Sequence, residues 1–261
     1  MTGTCKLCLN ESELKQSHII PEFMYQNVYD ENPKRFYSLN VVLDNDGQSS
    51  SKILQKGVRE RLLCEECEGK FSKYEDYAAE TIYAKRNRNK AYIAKSSVSA
   101  DGIYFLYEYE GFSYKEFKIF LMSLLWRVII SESYHTPEID AKFVEQLRTA
   151  LHNENPLDYD DFGCLVQVLK DRTGQIVGKL ILQPYMTGGV NSDVLNILID
   201  GFVYSFYLQS KMIPESQKTP FLKQDGKMEI IGRLLEADRG LVDKLKAAFD
   251  FFTKKIKNNG S

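Results

Sequence analysis

The sequence predicts an α+β protein in which an N-terminal, cysteine-bearing zinc module is followed by a mixed helical and antiparallel β domain. Three observations carry this. Two Cys-x-x-Cys pairs stand before residue 68, apolar residues recur at steps of three and four between Phe71 and Leu151, and the chain after Asn155-Pro156 breaks into short apolar runs divided by turn residues. A length of 261 residues suits one large or two modest domains. The small polar stretch Ser96–Gly102 places the division between a module at 1–95 and a domain at 96–261.

The elements follow in order. Asp44–Ser51 reads as a surface loop between two parts of the module that meet in space. From Cys64 onward, Phe71, Tyr74, Ala78, Ala79 and Ile82 mark a helix with the second cysteine pair at its N-terminus. Ile103–Tyr109 is a strand, and Ser113 with Glu116 has the pattern of a capping box opening a helix whose buried stripe is Phe117, Phe120, Leu121, Leu124, Leu125 and Val128. Thr136-Pro137 starts a further helix, with Ile139, Phe143, Val144, Leu147 and Leu151 on its apolar face. The runs Leu165–Leu169, Val177–Leu182 and Leu195–Leu208, the last broken near Gly201, are antiparallel strands. Leu241, Leu245, Ala248, Phe249, Phe252 and Ile256 form the stripe of a final helix, with Lys254, Lys255 and Lys257 suiting the dipole at its end.

Charge and hydropathy narrow the function classes. Thirty-four Lys and Arg against 36 Asp and Glu leave a net charge of −2, so no global field draws in nucleic acid or an anionic membrane. The stretch Ile119–Ile130 contains Arg127 and falls well short of the ~20 apolar residues that span a bilayer. With no charged start and apolar run at Met1–Cys8, the expectation is a cytoplasmic protein without membrane contact, in a reducing compartment where paired cysteines hold metal.

Cys5, Cys8, Cys64 and Cys67 have the spacing that lets adjacent sulfurs reach one tetrahedral Zn²⁺ at about 2.3 Å. Four sulfurs leave no open position, so this zinc is structural. The alternative for these cysteines is a set of buried free thiols. Cys164 is read as a small buried hydrophobe.

Cys5-Lys6-Leu7-Cys8, then Ser17-His18-Ile19-Ile20-Pro21, then Leu62-Leu63-Cys64-Glu65-Glu66-Cys67-Glu68 resembles the cysteine-bearing HNH endonucleases, whose ββα-metal site is a treble-clef variant. The resemblance covers about 80 residues and implies a metal-dependent endonuclease acting on nucleic-acid phosphodiesters, DNA foremost, of a kind often found in bacterial defence. It makes His18 the general base. Glu68 stands where the family has a metal-binding Asn or His, and Ser17 where it has an acidic or histidine ligand. The central Asn that orients the histidine has no match here; Gly57–Arg61 occupies that region.

On a helix, Glu68, Ser72 and Glu75 fall at i, i+4 and i+7, so His18, Glu68 and Glu75 form a candidate catalytic set for Mg²⁺ or Mn²⁺. The alternatives are that Glu68 and Glu75 are solvated helix acids and that His18 is a packed histidine ordering its hairpin. Phosphate attraction falls on Arg59, Arg61, Lys85, Arg86, Arg88 and Lys90, since residues 81–95 hold five cations and no acids. A second reading is an inactive zinc module that binds nucleic acid or a protein partner. In the nuclease reading the second domain serves recognition, regulation or self-assembly, through a protein partner or a second copy; a third reading is a scaffolding subunit whose apolar second domain makes the key contacts.

Overall fold

The computed structural model describes residues 2–29, 36–40, 50–54, 57–83, 91–134, 136, 138–179, 181–189, 191–243 and 245–246. Its α+β architecture has two sheets. The smaller is fully antiparallel in the order β1-β2-β5, made of β1 (Thr2–Thr4), β2 (Glu11–His18) and β5 (Arg59–Cys64). Cys64 ends β5 and is also the N-cap of α1 (Glu65–Thr81), whose first turn carries Glu65, Glu66 and Glu68 where the helix dipole favours anions. The sequence-read helix from Cys64 is therefore present with the second cysteine pair at its start.

The larger sheet runs β4-β3-β9-β10-β11-β8-β12-β7-β6. It comprises β3 (Phe36–Asn40), β4 (Ser50–Leu54), β6 (Tyr92–Val98), β7 (Tyr104–Glu110), β8 (Cys164–Lys170), β9 (Ile181–Gly189), β10 (Ser192–Ile199), β11 (Phe202–Tyr207) and β12 (Met228–Leu234). The expected antiparallel pairing holds from β9 through β8, while β12 lies parallel to β8 and β3 parallel to β9. Between β10 and β11, Asp200 (φ 50°) and Gly201 (φ 78°) form a two-residue hairpin turn, the left-handed pair that matches the twist of its strands. A Cβ on Gly201 would sit 2.7 Å from the Val177 carbonyl oxygen, so glycine is required there for space as well as for φ.

One face of the large sheet packs on α1, α2 (Tyr114–Ile130) and α3 (Ala141–His152). α2 is buried along its whole middle, from Phe117 to Val128, where the sequence suggested a single stripe. The reason is its position between the other two helices and the sheet, which leaves it no solvent side. Ser113 is the N-cap of α2, but its side chain makes no capping bond; its amide instead donates to the Tyr77 hydroxyl of α1 at 2.6 Å. α3 begins at Ala141, after Thr136-Pro137, because Asp140 supplies the cap by accepting from the Lys142 amide at 2.8 Å. Residues 239–243 and 245–246 are helical, with Leu241 and Leu245 buried against Leu169, Leu182, Leu198 and Val203 on the opposite face of the sheet. The remainder of the expected C-terminal helix lies outside the described residues.

The two parts that the sequence divides at residue 95 share one core. Ser96, Ser97 and Val98, read as a boundary loop, belong to β6, and the turn comes at 99–103. The β3–β4 hairpin from the N-terminal part joins the large sheet beside β9. Phe23 packs against Phe120 with ring centroids 5.8 Å apart and meets Tyr83 edge to face at 5.3 Å, and Tyr83 in turn meets the Phe202 ring at 5.2 Å and, through its hydroxyl, the Tyr204 hydroxyl at 2.9 Å. Phe120→Ala is therefore expected to cost about 3–5 kcal/mol, and urea unfolding followed through the single Trp126 and through far-ultraviolet circular dichroism should still coincide in one transition.

Candidate metal centre

The four sequence-read zinc ligands meet. Cys5, Cys8, Cys64 and Cys67 place their sulfurs within 4.8 Å of one another, and among the described residues this is the group suited to hold a metal. Cys8 Sγ and Cys64 Sγ are 3.9 Å apart, against an edge of about 3.8 Å for a tetrahedron of sulfurs with Zn–S bonds of about 2.3 Å. The set can therefore coordinate one zinc ion. Three of the four residues are buried, and Cys8 is half-buried.

Local backbone geometry presents each pair. Cys5–Asn10 forms a knuckle in which the Leu9 amide donates to the Cys5 carbonyl and the Cys5 amide to the Asn10 carbonyl, both at 2.9 Å. Leu9 takes a left-handed φ of 65° to close it. The Lys6 amide bonds the Leu62 carbonyl at 2.9 Å and so ties the knuckle to β5. The second pair sits where β5 becomes α1. The Cys64 amide points at Cys5 Sγ from 3.4 Å.

The thiols are unequal. Burial pushes the Cys67 thiol strongly up, helped by its Cys64 and Cys5 neighbours, and burial also raises Cys8. Burial works against Cys5 too, yet backbone N–H groups of Cys8, Cys64 and Leu7 outweigh it and hold that thiol down to about 7. A divalent cation removes the conflict by replacing the protons on all four sulfurs.

Around His18 the arrangement differs from the candidate catalytic set. Ser17 and His18 are adjacent on β2 and point to opposite faces. Ser17 is fully buried on the side of Glu68, whereas His18 turns to Glu22 and Arg59. Arg59 Nε donates to His18 Nε2 at 2.7 Å, and Glu22 Oε2 lies 2.9 Å from that same nitrogen. One nitrogen cannot serve both. A neutral imidazole accepts from Arg59 and leaves Glu22 Oε2 buried without a hydrogen-bond partner, whereas a protonated one donates to Glu22. Burial and the Arg59 charge hold the His18 pKa below its ordinary value, with Glu22 and Glu75 opposing. The Tyr29 hydroxyl donates to the other Glu22 oxygen at 2.7 Å and fixes the carboxylate.

Glu75 is engaged elsewhere. Arg127 of α2, 1% exposed, binds Glu75 Oε1 through Nη1 at 2.7 Å and donates from the same nitrogen to the His18 carbonyl at 2.8 Å. Its guanidinium also lies over the Phe71 ring at 5.4 Å. Glu68 keeps one buried oxygen without a hydrogen-bond partner, and burial raises its pKa, with Glu75 adding to the rise and Ser17 and Arg127 opposing. His18, Glu68 and Glu75 thus surround the end of β2 without sharing one ligand position. Arg61 is pinned to the Leu14 carbonyl at 3.1 Å. Lys85, Arg86, Arg88 and Lys90 lie outside the described residues.

Glu22 and Arg127 escaped the sequence reading. Glu22, four residues after His18, carried a signal in that spacing. Arg127 carried a stronger one, since a cation inside the apolar run of α2 demands a buried partner.

Comparison with protein-family models, with curated proteins and with solved structures finds no match to this chain. No helix among the described residues is long and apolar enough to cross a membrane.

Two outcomes are expected. Purified chain should carry one zinc, measured by atomic emission, which Cys67→Ser loses and which wild type releases as acid protonates the thiolates. Arg127→Met should cost about 2–4 kcal/mol in urea unfolding because it removes a buried guanidinium that holds both the half-buried Glu75 carboxylate and the His18 carbonyl, and adding Glu75→Leu should recover part of the loss.

Proposed function

We propose that the chain is an HNH-like metal-dependent endonuclease with His18 as general base. The observation that carries this reading is the setting of His18. Its imidazole stands at the end of β2, the middle strand of the small sheet, and 2.9 Å from it lies a buried carboxylate oxygen of Glu22 that lacks a hydrogen-bond partner. A neutral histidine near its working pH takes a proton from an attacking water.

Glu22, whose Oε2 has no hydrogen-bond donor and meets the Arg59 guanidinium only at 3.9 Å, is the residue suited to a hard Mg²⁺ or Mn²⁺ beside the base; Glu75, held by Arg127 at 2.7 Å, is not. Such an ion supplies charge stabilisation to the scissile phosphate and its leaving oxygen. Arg59, whose side chain is 35% exposed, has the reach to leave His18 and bind a phosphate oxygen, which frees the base as substrate arrives. Zinc at the four cysteines holds the scaffold in this reading and takes no part in the chemistry.

A second reading has its own support. Arg59 occupies the proton-accepting nitrogen of His18, and Arg127 neutralises one of the two helix carboxylates, as suits a non-catalytic module that binds nucleic acid or a protein through its zinc-held face. Incubation of plasmid and single-stranded DNA with purified chain and Mg²⁺ or Mn²⁺ separates the two. Cleavage is expected for wild type, with a loss of about 100-fold or more in His18→Ala at unchanged zinc content. Absence of cleavage by wild type, with zinc bound, would favour the binding module.

A further inference from the structure

One cation outside the first 95 residues reaches the cysteine site. Arg148 of α3 donates from Nη1 to the carbonyl oxygen of Leu7 at 2.5 Å, inside the Cys5–Cys8 knuckle. Leu7 is fully buried, and the Arg148 side chain is 15% exposed. On the solvent side, Glu145 grips the same guanidinium with two bonds, Nε to Oε2 at 2.8 Å and Nη2 to Oε1 at 2.6 Å, and Thr149 adds a hydroxyl bond to Glu145 at 3.2 Å. The fork is thus held from one side by α3 itself, with its remaining nitrogen aimed at the knuckle. Cys8 lies within electrostatic reach of this guanidinium.

Four thiolates around Zn²⁺ carry a net charge of −2. Burying that charge is costly without a compensating cation or hydrogen-bond donors. Lys15, on the neighbouring strand, is drawn to Glu65 at 3.3 Å and is 39% exposed. Arg148 is more buried, and its geometry is fixed by two partners.

We propose that Arg148 is a positioning residue of the metal centre: it clamps the Cys5–Cys8 knuckle through the Leu7 carbonyl and sets a fixed positive charge beside the thiolates. α3 is then part of the zinc site, and retention of the metal depends on the docking of this helix. The proposal rests on zinc occupancy of the four cysteines and is independent of whether the protein cuts nucleic acid.

The test uses the zinc-loaded full chain and follows transfer of zinc to the chromogenic chelator 4-(2-pyridylazo)resorcinol, with starting stoichiometry measured first. Arg148→Met is expected to release zinc about 10-fold faster than wild type, in line with the loss of an outer partner at other metal sites. Arg148→Lys, which keeps the cation and loses the fork, is expected to fall between them. A merely structural role for Arg148 gives no such rescue. Equal release by wild type and Arg148→Met, or no slowing of Arg148→Lys relative to Arg148→Met, would overturn the proposal. Should Arg148→Met fail to fold, Glu145→Gln on the exposed side of α3 decides: faster release supports the clamp and unchanged release overturns it. A wild-type chain that binds no zinc at all would overturn the zinc reading itself and the clamp with it.

Discussion

The convergence of four sulfurs is the constraint on which the N-terminal third depends. Cys8 and Cys64 are 56 positions apart in the chain and 3.9 Å apart in space. Closing so long a loop costs entropy that grows only slowly with its length, and structural zinc sites supply on the order of 10–16 kcal/mol at neutral pH in small metal-folded peptides. The knuckle and the start of α1 are joined at this point, and β2 is laid between them along β5. Everything near His18 inherits its position from that junction.

Buried charge does the complementary work at the other end of β2. Arg127 reaches from the most deeply buried helix to Glu75 on α1 and to the backbone of His18. A guanidinium in that position tolerates few alternative arrangements, because any helix shift that breaks a bond strands a charge away from water. α1, α2 and the end of β2 are thereby registered against one another. Lys118 on the same helix shows the same logic, with its ammonium donating to backbone carbonyls of Tyr159, Asp161 and Phe162 and its pKa brought down to about 8 by burial. Apolar contact makes α2 a core helix, and its two buried cations make its orientation specific.

Local signals in the sequence read well where they concern one element. The period of Phe71, Tyr74 and Ala78 announces α1, and the break read near Gly201 falls at the Asp200-Gly201 turn, where both residues take positive φ. They read less well where neighbours compete for a group. Ser113 has the sequence of a cap, yet its amide is taken by Tyr77 from another helix. The division at residue 95 followed composition, whereas Phe23, Tyr83 and the β3–β4 hairpin bind the two parts through contacts that no local pattern encodes.

The candidate site shows the same division. The cysteine spacing by itself determined the metal-binding set, since two Cys-x-x-Cys pairs limit how sulfurs can be arranged around one ion. The α+β class was likewise written in local periodicity. Only the tertiary structure decided which carboxylate faces His18, because Ser17 and His18 point to opposite sides of β2 and the sequence does not say what packs on either side. Glu22 came to the imidazole, and Glu75 went to a cation on a helix some fifty residues further along. Pairing of buried charges is settled by which elements meet, and that is a property of the whole core.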